Sequence, residues 1–241
     1  MIKLTENQLF DFANCPSLFE MKYVKKLPMS EETSFSQLLN KVSNYFYLHL
    51  LNGKVCSLAE LKKKWDSICE SHQLSPKQAV DGMHLVAKFA NWMGHEQPIV
   101  LDINTPYTIC MGNVELSGNL LPVFRVNEKK ELIVTDFSSK MPDQRLVDMK
   151  LKYTLDAYVC KTLFKEDIVG IRVHNVKNDK EIRTYRNEAD FNRLISSVKG
   201  IGTAIKSSGF YARDSFMCPS CPAFTYCRFW TTEGSTPSDN Q

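Results

Sequence analysis

The sequence predicts an α/β fold with a helical N-terminal lobe. Through about the first hundred residues, apolar side chains recur at spacings of three and four, the pattern of amphipathic helices. After Pro98 the pattern changes to alternating, β-branched runs, and strand-like and helical segments then follow one another to about residue 207. The composition agrees, because 43% hydrophobic and 24% charged residues are typical of a packed globular protein.

Five helices are predicted in the N-terminal part. Thr5 and Ser57 each have Gln or Glu three residues later, which is the spacing of a capping box. Pro16 suits the first turn of the second helix, and Ser75 opens the fifth. The third helix is predicted from an amphipathic stripe of Phe35, Leu38, Leu39, Val42, Tyr45, Phe46 and Leu50.

Strands and helices are predicted to follow in the order of a layered α/β core. The first three strands are separated only by short Gly/Asn or charged turns, so we expect them to be consecutive and antiparallel. The predicted segments are strands at 99–111, 114–126 and 132–137, a helix at 143–164, strands at 168–176 and 183–185, and a helix at 190–207.

Four regions are therefore expected along the chain. Residues 1–98 form the helical lobe, 99–210 the α/β core, and 211–230 a cysteine-bearing segment. Residues 231–241 are polar and contain no apolar anchor, so they are expected to be a disordered tail.

Charge and hydropathy exclude some classes of protein. The 30 Lys and Arg residues nearly balance 27 Asp and Glu, and a formal charge of +3 is not that of a strongly basic nucleic-acid-binding protein. No apolar run is long enough to span a bilayer, and the first residues lack the pattern of a signal peptide. We expect a soluble, intracellular protein of the cytoplasm with no membrane partner.

The cysteines indicate a metal site. Cys218, Cys221 and Cys227 have the spacing C-x2-C-x5-C, and Cys15 stands alone near the beginning. Thiols stay reduced in the cytosol, so a disulfide framework is not expected. Both a tetrahedral zinc ion and a cubane iron–sulfur cluster take four thiolates, and spacing alone does not separate them. Small buried hydrophobes are the expectation for the other four, Cys56, Cys69, Cys110 and Cys160.

From Leu4 to Trp230 the chain resembles the RecB-like branch of the PD-(D/E)XK nucleases that carry an iron–sulfur cluster. This group includes the CRISPR-associated RecB-like exonucleases and the nuclease domain of AddB. The resemblance is carried by a cysteine after the first helix, the C-terminal triplet and the order of the strands. It implies a restriction-endonuclease-like core with a mixed central sheet flanked by helices. It also implies a 4Fe–4S cluster held by Cys15, Cys218, Cys221 and Cys227, with zinc as the alternative.

The resemblance also implies a metal-dependent nuclease centre, but the expected residues are largely replaced. Active members use an Asp on one strand and a D/E-x-K motif on the next to bind Mg2+ or Mn2+. Here Leu121 stands in the place of the Asp and Ser138 in that of the Lys. The catalytic residues of the family that remain are Asp136 of the D/E-x-K motif and Tyr158 on the helix that follows. Lys140 is a conceivable displaced lysine. We therefore expect a catalytically inactive centre and no bound Mg2+ or Mn2+.

Three functions follow as hypotheses. The first is an inactive nuclease-fold protein that binds DNA or acts as an accessory module in recombination, replication or transcription. The second is a protein–protein adaptor that does not contact DNA, and the third is an active exonuclease with a rearranged site. Short lysine clusters are also typical of solvated helix faces. The candidate phosphate contacts are Lys25, Lys26, Lys62, Lys63, Lys64, Lys150 and Lys152.

Overall fold

The chain folds into two compact units, each assembled from separate stretches of sequence. The computed structural model describes residues 1–29, 33–96, 99–126, 129–138, 142–164, 170–215, 217–227 and 229. The tail predicted at 231–241 and Lys140 lie outside these residues. Unit 1 comprises the described parts of Met1–Glu32, Tyr107–Gly118 and Asn192–Gln241, and unit 2 those of Thr33–Pro106 and Asn119–Phe191.

Unit 1 contains a three-stranded sheet with two short helices that follow its first strand. The strand order is β1-β4-β3, and β1 pairs parallel to β4 with Leu4 opposite Leu116. Strands β3 and β4 are joined by a tight turn in which Gly112 has a φ of 64°, a conformation that glycine adopts without strain. The elements are β1 (Ile2–Thr5), β3 (Pro106–Met111), β4 (Val114–Asn119), α1 (Glu6–Asn14), α2 (Pro16–Phe19) and a π-helical segment (Glu20–Val24).

Unit 2 contains a mixed five-stranded sheet. Its strand order is β2-β5-β6-β7-β8, and only β6 and β7 are parallel neighbours. A parallel pair needs a crossover connection, which the chain supplies with two helices between β6 and β7. The strands are β2 (Ile99–Asp102), β5 (Val123–Val126), β6 (Lys129–Asp136), β7 (Gly170–Asn175) and β8 (Lys180–Thr184).

Helices cover both faces of this sheet. Thr135 and Asp136 are successive residues of β6, so their side chains point to opposite faces. The hydroxyl of Tyr47 on α3 is hydrogen-bonded to Thr135, whereas Tyr153 on α7 lies within electrostatic reach of Asp136. Among the described residues, no helix is both long and apolar enough to cross a membrane. The helices of unit 2 are α3 (Phe35–Leu51), α4 (Leu58–Ser71), α5 (Pro76–Glu96), α6 (Gln144–Met149) and α7 (Leu151–Phe164), and the chain continues with α8 (Glu188–Lys206), most of which belongs to unit 1.

The prediction of three consecutive antiparallel strands is wrong. The segment 99–111 is divided into β2 and β3, and 114–126 into β4 and β5, with the two halves of each segment in different sheets. The first break contains Asn104 in the left-handed conformation, and the second contains Pro122, which has no N–H to donate to a ladder. The predicted helix at 143–164 is likewise two helices, because the backbone of Lys150 is extended.

Predicted helix starts are confirmed in detail. Thr5 and Ser57 form complete capping boxes with the residues three positions later. Ser34 with Gln37 forms another at the start of α3. Each box satisfies backbone donors that a helix leaves unpaired in its first turn, which is why the pattern can be read from sequence.

Close packing of α4 against α5 depends on Gly82. An added Cβ at Gly82 would overlap the indole of Trp65, which is 1% exposed and held by its Nε1 donating to the carbonyl of Ala79 at 2.8 Å. We expect Gly82→Ala to lower the free energy of unfolding by about 1–3 kcal/mol through overpacking. The matched control is Gly94→Ala in the same helix, where a Cβ meets nothing within 4 Å. It should be stabilising by about 0.5–1 kcal/mol, and equal effects in urea denaturation would contradict the packing argument.

A buried arginine forms ion pairs with three carboxylates near the end of α5. Arg172 on β7 is 2% exposed and lies 2.8 Å from Glu96, 3.3 Å from Glu131 and 3.2 Å from Glu181. Beside it, the imidazole of His174 is stacked on Trp92 with ring centroids 3.9 Å apart. The network joins the end of α5 to three strands of the sheet.

The same network makes stability depend on pH. The pKa of Glu181 is lowered first by the neighbouring imidazole of His174, whose Nδ1 lies 3.6 Å from the carboxylate, and then by the charge of Arg172, while burial opposes the shift. As the pH falls below about 4.3, the ordinary Glu value, unfolded chains take up the proton first, so unfolding is favoured. We therefore expect stability from Glu181 to be complete above that pH and lost below it. Urea denaturation between about pH 6 and pH 3 should show a shallower pH slope for Glu181→Gln, and an unchanged slope would contradict this.

Candidate functional site

Four cysteines from opposite ends of the sequence line one cavity in unit 1. The cavity has a volume of about 440 Å³, and Cys15, Cys218, Cys221 and Cys227 all lie in its wall. Among the described residues, no three His, Cys, Asp or Glu side chains meet as the ligands of a single metal ion. The structure thus brings together the four residues that the sequence singled out, arranged around an open space.

Helix geometry brings Cys15 to this cavity. Its N–H donates to the carbonyl of Asp11 and closes α1, and its extended backbone then redirects the chain into α2. Two contacts hold this corner against the C-terminal segment. Ser17 N–H donates to the carbonyl of Tyr211 at 3.0 Å, and Arg213 donates to the carbonyl of Ala13 at 3.0 Å.

Two short 3-10 turns position the other cysteines. The first spans Cys218–Ser220 and the second Phe224–Tyr226, and each is followed at once by a cysteine. The N–H of Ser215 donates to the sulfur of Cys218 at 3.3 Å. This contact fixes the sulfur of Cys218 in the cavity wall.

The thiols are close enough to influence one another. Burial raises the pKa of Cys221, and the neighbouring sulfurs of Cys15, Cys227 and Cys218 raise it further, while a backbone hydrogen bond at Ala223 lowers it. Four adjacent thiolates repel each other unless a cation lies among them. A metal centre bound by these four thiols would release their protons.

A polar group lies next to the cysteines in the same cavity wall. The carboxylate of Asp11 accepts a hydrogen bond from Tyr23 at 2.7 Å and lies 3.3 Å from the ammonium of Lys22. Burial and this carboxylate raise the pKa of Tyr23 to about 12. The tyrosine therefore stays protonated and donates to Asp11.

In unit 2, the carboxylate of Asp136 is already occupied by protein donors. Ser138 donates to it through its N–H at 3.0 Å and through its hydroxyl at 2.8 Å. Asn175, at the adjacent end of β7 and fully buried, donates its amide at 2.7 Å. Three hydrogen bonds thus satisfy the acidic remnant that the sequence identified.

The other positions that the sequence assigned to the nuclease centre lie outside β6. Leu121 lies between β4 and β5, outside both strands, and Tyr158 packs its ring on Phe191 at 5.6 Å. The tyrosine within electrostatic reach of Asp136 is Tyr153. Burial raises the pKa of Tyr153 to about 12, with Asp136 and then Asp156 as further causes.

Sequence reasoning missed three members of this site: Tyr153, Asp156 and Asn175. Asp156 is 0% exposed and pairs at 2.7 Å with Lys152, one helical turn earlier. The sequence did contain a signal for Asp156, because an acidic residue within the apolar run of α7 requires a partner. Asn175 gave no local signal, since only the parallel pairing of β6 and β7 brings it opposite Asp136.

The candidate DNA-contacting lysines lie on several different elements of the two units. Lys25 is paired with Glu20 at 2.9 Å and Lys26 follows it in unit 1. In unit 2, Lys62, Lys63 and Lys64 lie on α4, in the helical layer that includes α3 and α5. Lys150 and Lys152 lie at the start of α7, on the opposite face of the sheet. Two of these side chains also have internal partners: Lys150 lies 4.8 Å from the ring of Tyr153, and Lys152 donates to the carbonyl of Asn119.

Comparisons with known proteins give no family assignment. No family model matches the chain, and no curated protein matches it. A solved structure described as "Crystal structure of SSO0001" is similar at 13% sequence identity, covering 89% of this chain and 96% of that one, with a TM-score of 0.41.

Proposed function

We propose that the protein is a catalytically inactive, nuclease-derived module that holds a 4Fe–4S cluster and binds DNA as an accessory in DNA processing. The observation that carries this proposal is the single cavity lined by Cys15 and the C-terminal cysteine triplet. These are the positions at which the resembled nucleases hold their cluster. The restriction-endonuclease-like core belongs to the same proposal, supported by a mixed sheet with helices on both faces.

The cavity is large enough for a cluster. It has a volume of about 440 Å³ and is lined by the four cysteines together with other side chains such as Leu18 and Phe224, so it has room for irons and bridging sulfides beside the sulfurs. The cluster is preferred over zinc because it is the group that the resembled nucleases carry. When bound, such a cluster would join residue 15 to the C-terminal segment, and its binding energy would contribute to folding.

Two observations support lost catalysis. The donors around Asp136 are a serine and an asparagine, so the carboxylate is satisfied without a metal ion. A second carboxylate is required to bind Mg2+ or Mn2+ well, and Leu121 cannot supply one.

A second candidate function is an active nuclease with a rearranged site. Asp136 and Asp156 both raise the pKa of Tyr153, so two carboxylates flank one side chain, and Lys152 binds one of them. Two carboxylates and a lysine are the components that a nuclease metal site needs. Asp156 is fully buried, however, so it does not contact substrate in this structure.

The test is incubation of the anaerobically purified protein with labelled single- and double-stranded DNA in Mg2+ or Mn2+. We expect a complex that weakens steeply with salt, and no cleavage. Cleavage that is abolished by both Asp136→Ala and Asp156→Asn would overturn the proposal in favour of the rearranged nuclease. A protein that neither binds nor cuts DNA would overturn it in favour of the adaptor.

Comparison of two lysine variants locates the contact surface. Lys62→Gln/Lys63→Gln removes two exposed charges from α4, and Lys150→Gln removes one from the opposite face of the sheet. The variant that weakens binding and reduces its salt dependence marks the face that contacts phosphates. Unchanged binding and salt dependence in both variants would overturn the assignment of these lysines.

A further inference from the structure

A second cavity lies in unit 2, where the parallel strands β6 and β7 end. It has a volume of about 500 Å³, and Ser138 after β6 and Lys177 after β7 contribute to its wall. The carboxyl ends of parallel strands are a common place for ligands to bind. The size is that of a pocket for one small molecule or one nucleotide, and is too small for a duplex.

One face of α5 supplies charged groups to this pocket. Asp81, His84 and Lys88 are spaced at three and four residues, so they lie along the same side of the helix. The ammonium of Lys88 donates to the carbonyl of Lys177 at 2.8 Å. An ammonium has three N–H donors, so this contact fixes the position of Lys88 and leaves two donors for a ligand.

An aromatic wall completes the pocket. Phe137 is 4% exposed and belongs to the core of unit 2, and Phe35 packs edge-on against Trp65 at 5.9 Å. Rings held in this way are rigid, so they can contact a base or sugar at little entropic cost. Two lysines against the single carboxylate of Asp81 give the polar side of the pocket a net positive charge.

We propose that this pocket binds a phosphomonoester carried by a nucleotide. Lys88 and Lys177 contact the phosphate, with His84 as a further hydrogen-bonding group, and the two phenylalanines contact the nucleoside. Two sources of a phosphomonoester fit this pocket. One is the phosphorylated end of a DNA strand, and for this source the inference rests on the DNA-binding part of the proposed function. The other source is a free nucleoside monophosphate.

The experiment measures fluorescence anisotropy of a labelled single-stranded oligonucleotide with a 5′-phosphate, a 3′-phosphate or hydroxyls at both ends. We expect one phosphorylated end to bind about tenfold more tightly than the unphosphorylated strand, as charge-assisted hydrogen bonds of this kind provide. Lys88→Gln should remove that preference. Lys77→Gln removes an equal charge from the same helix, outside the pocket, and should preserve it.

Competition by adenosine 5′-monophosphate, and its direct binding by calorimetry, separates the two sources. A preference for the phosphorylated end supports the strand terminus. If the protein binds the mononucleotide but no DNA, and Lys88→Gln abolishes that binding, the ligand is the free nucleotide. This result contradicts only the DNA-binding part of the proposed function. Equal affinity for all three strands together with no binding of the mononucleotide overturns the inference, even if the protein still binds DNA.

Discussion

Replacing Cys218 with alanine is expected to abolish the visible absorbance of the proposed cluster and to destabilise the protein by about 5 kcal/mol. Binding of a structural metal contributes directly to the free energy of folding, by about 10 kcal/mol or more. Cys218 also accepts a hydrogen bond from the Ser215 N–H, so its loss leaves that donor without its sulfur acceptor. For a chain of this size the expected fall in Tm is roughly 10–20 °C.

The matched control for Cys218→Ala is Cys110→Ala. Cys110 is an exposed thiol on β3, also in unit 1, although the sequence favoured a buried hydrophobe there. Its substitution should leave the iron content unchanged and alter stability by no more than about 0.5 kcal/mol. A Cys218→Ala protein that kept both its colour and its Tm would show that this residue is not a ligand.

The second large effect is expected at Arg172. Arg172→Met removes the only cation that, among the described residues, lies within 3.5 Å of Glu96, Glu131 and Glu181. It leaves Glu131, whose side chain is 9% exposed, without its closest counter-charge. Breaking a buried ion pair on one side typically costs about 3–5 kcal/mol. Guanidinium denaturation should therefore show a markedly lower midpoint for this variant.

Two further variants test whether the loss of stability in Arg172→Met comes from charge or from packing. Arg183→Met removes a guanidinium that is 53% exposed and 3.8 Å from Glu131, so it should cost less than about 1 kcal/mol. Adding Glu131→Leu to Arg172→Met should recover part of the loss, because no uncompensated buried carboxylate then remains at that position. If the double variant were less stable than Arg172→Met alone, the penalty would lie in packing instead of charge.

Local features of the fold could be predicted from sequence because their causes are local. Capping boxes, the Pro16 start of α2 and the apolar stripe of α3 depend on residues within one or two helical turns. The division of the strands could not be predicted in the same way. Whether 99–111 continues as one strand or supplies two sheets depends on partners far away in sequence, such as β1 for β4 and β5 for β2.

The candidate sites show the same contrast. Cys15 and the C-terminal triplet could be selected by residue type and spacing, and they do line one cavity. Asn175 and Tyr153 near Asp136 could not, because strand pairing and helix packing bring them there. The lysines form clusters along the sequence, yet Lys152 pairs with Asp156 four residues later on the same helix, a partner that the sequence signalled by placing an acidic residue in an apolar run.

The most direct test of the proposed function is an iron and sulfide analysis of the protein purified without oxygen, read together with its visible spectrum. The cavity formed by the four cysteines predicts a brown protein with about four irons and four sulfides per chain. A colourless protein with one zinc ion, or with no metal, would contradict the cluster and remove the main support for the resemblance to iron–sulfur nucleases.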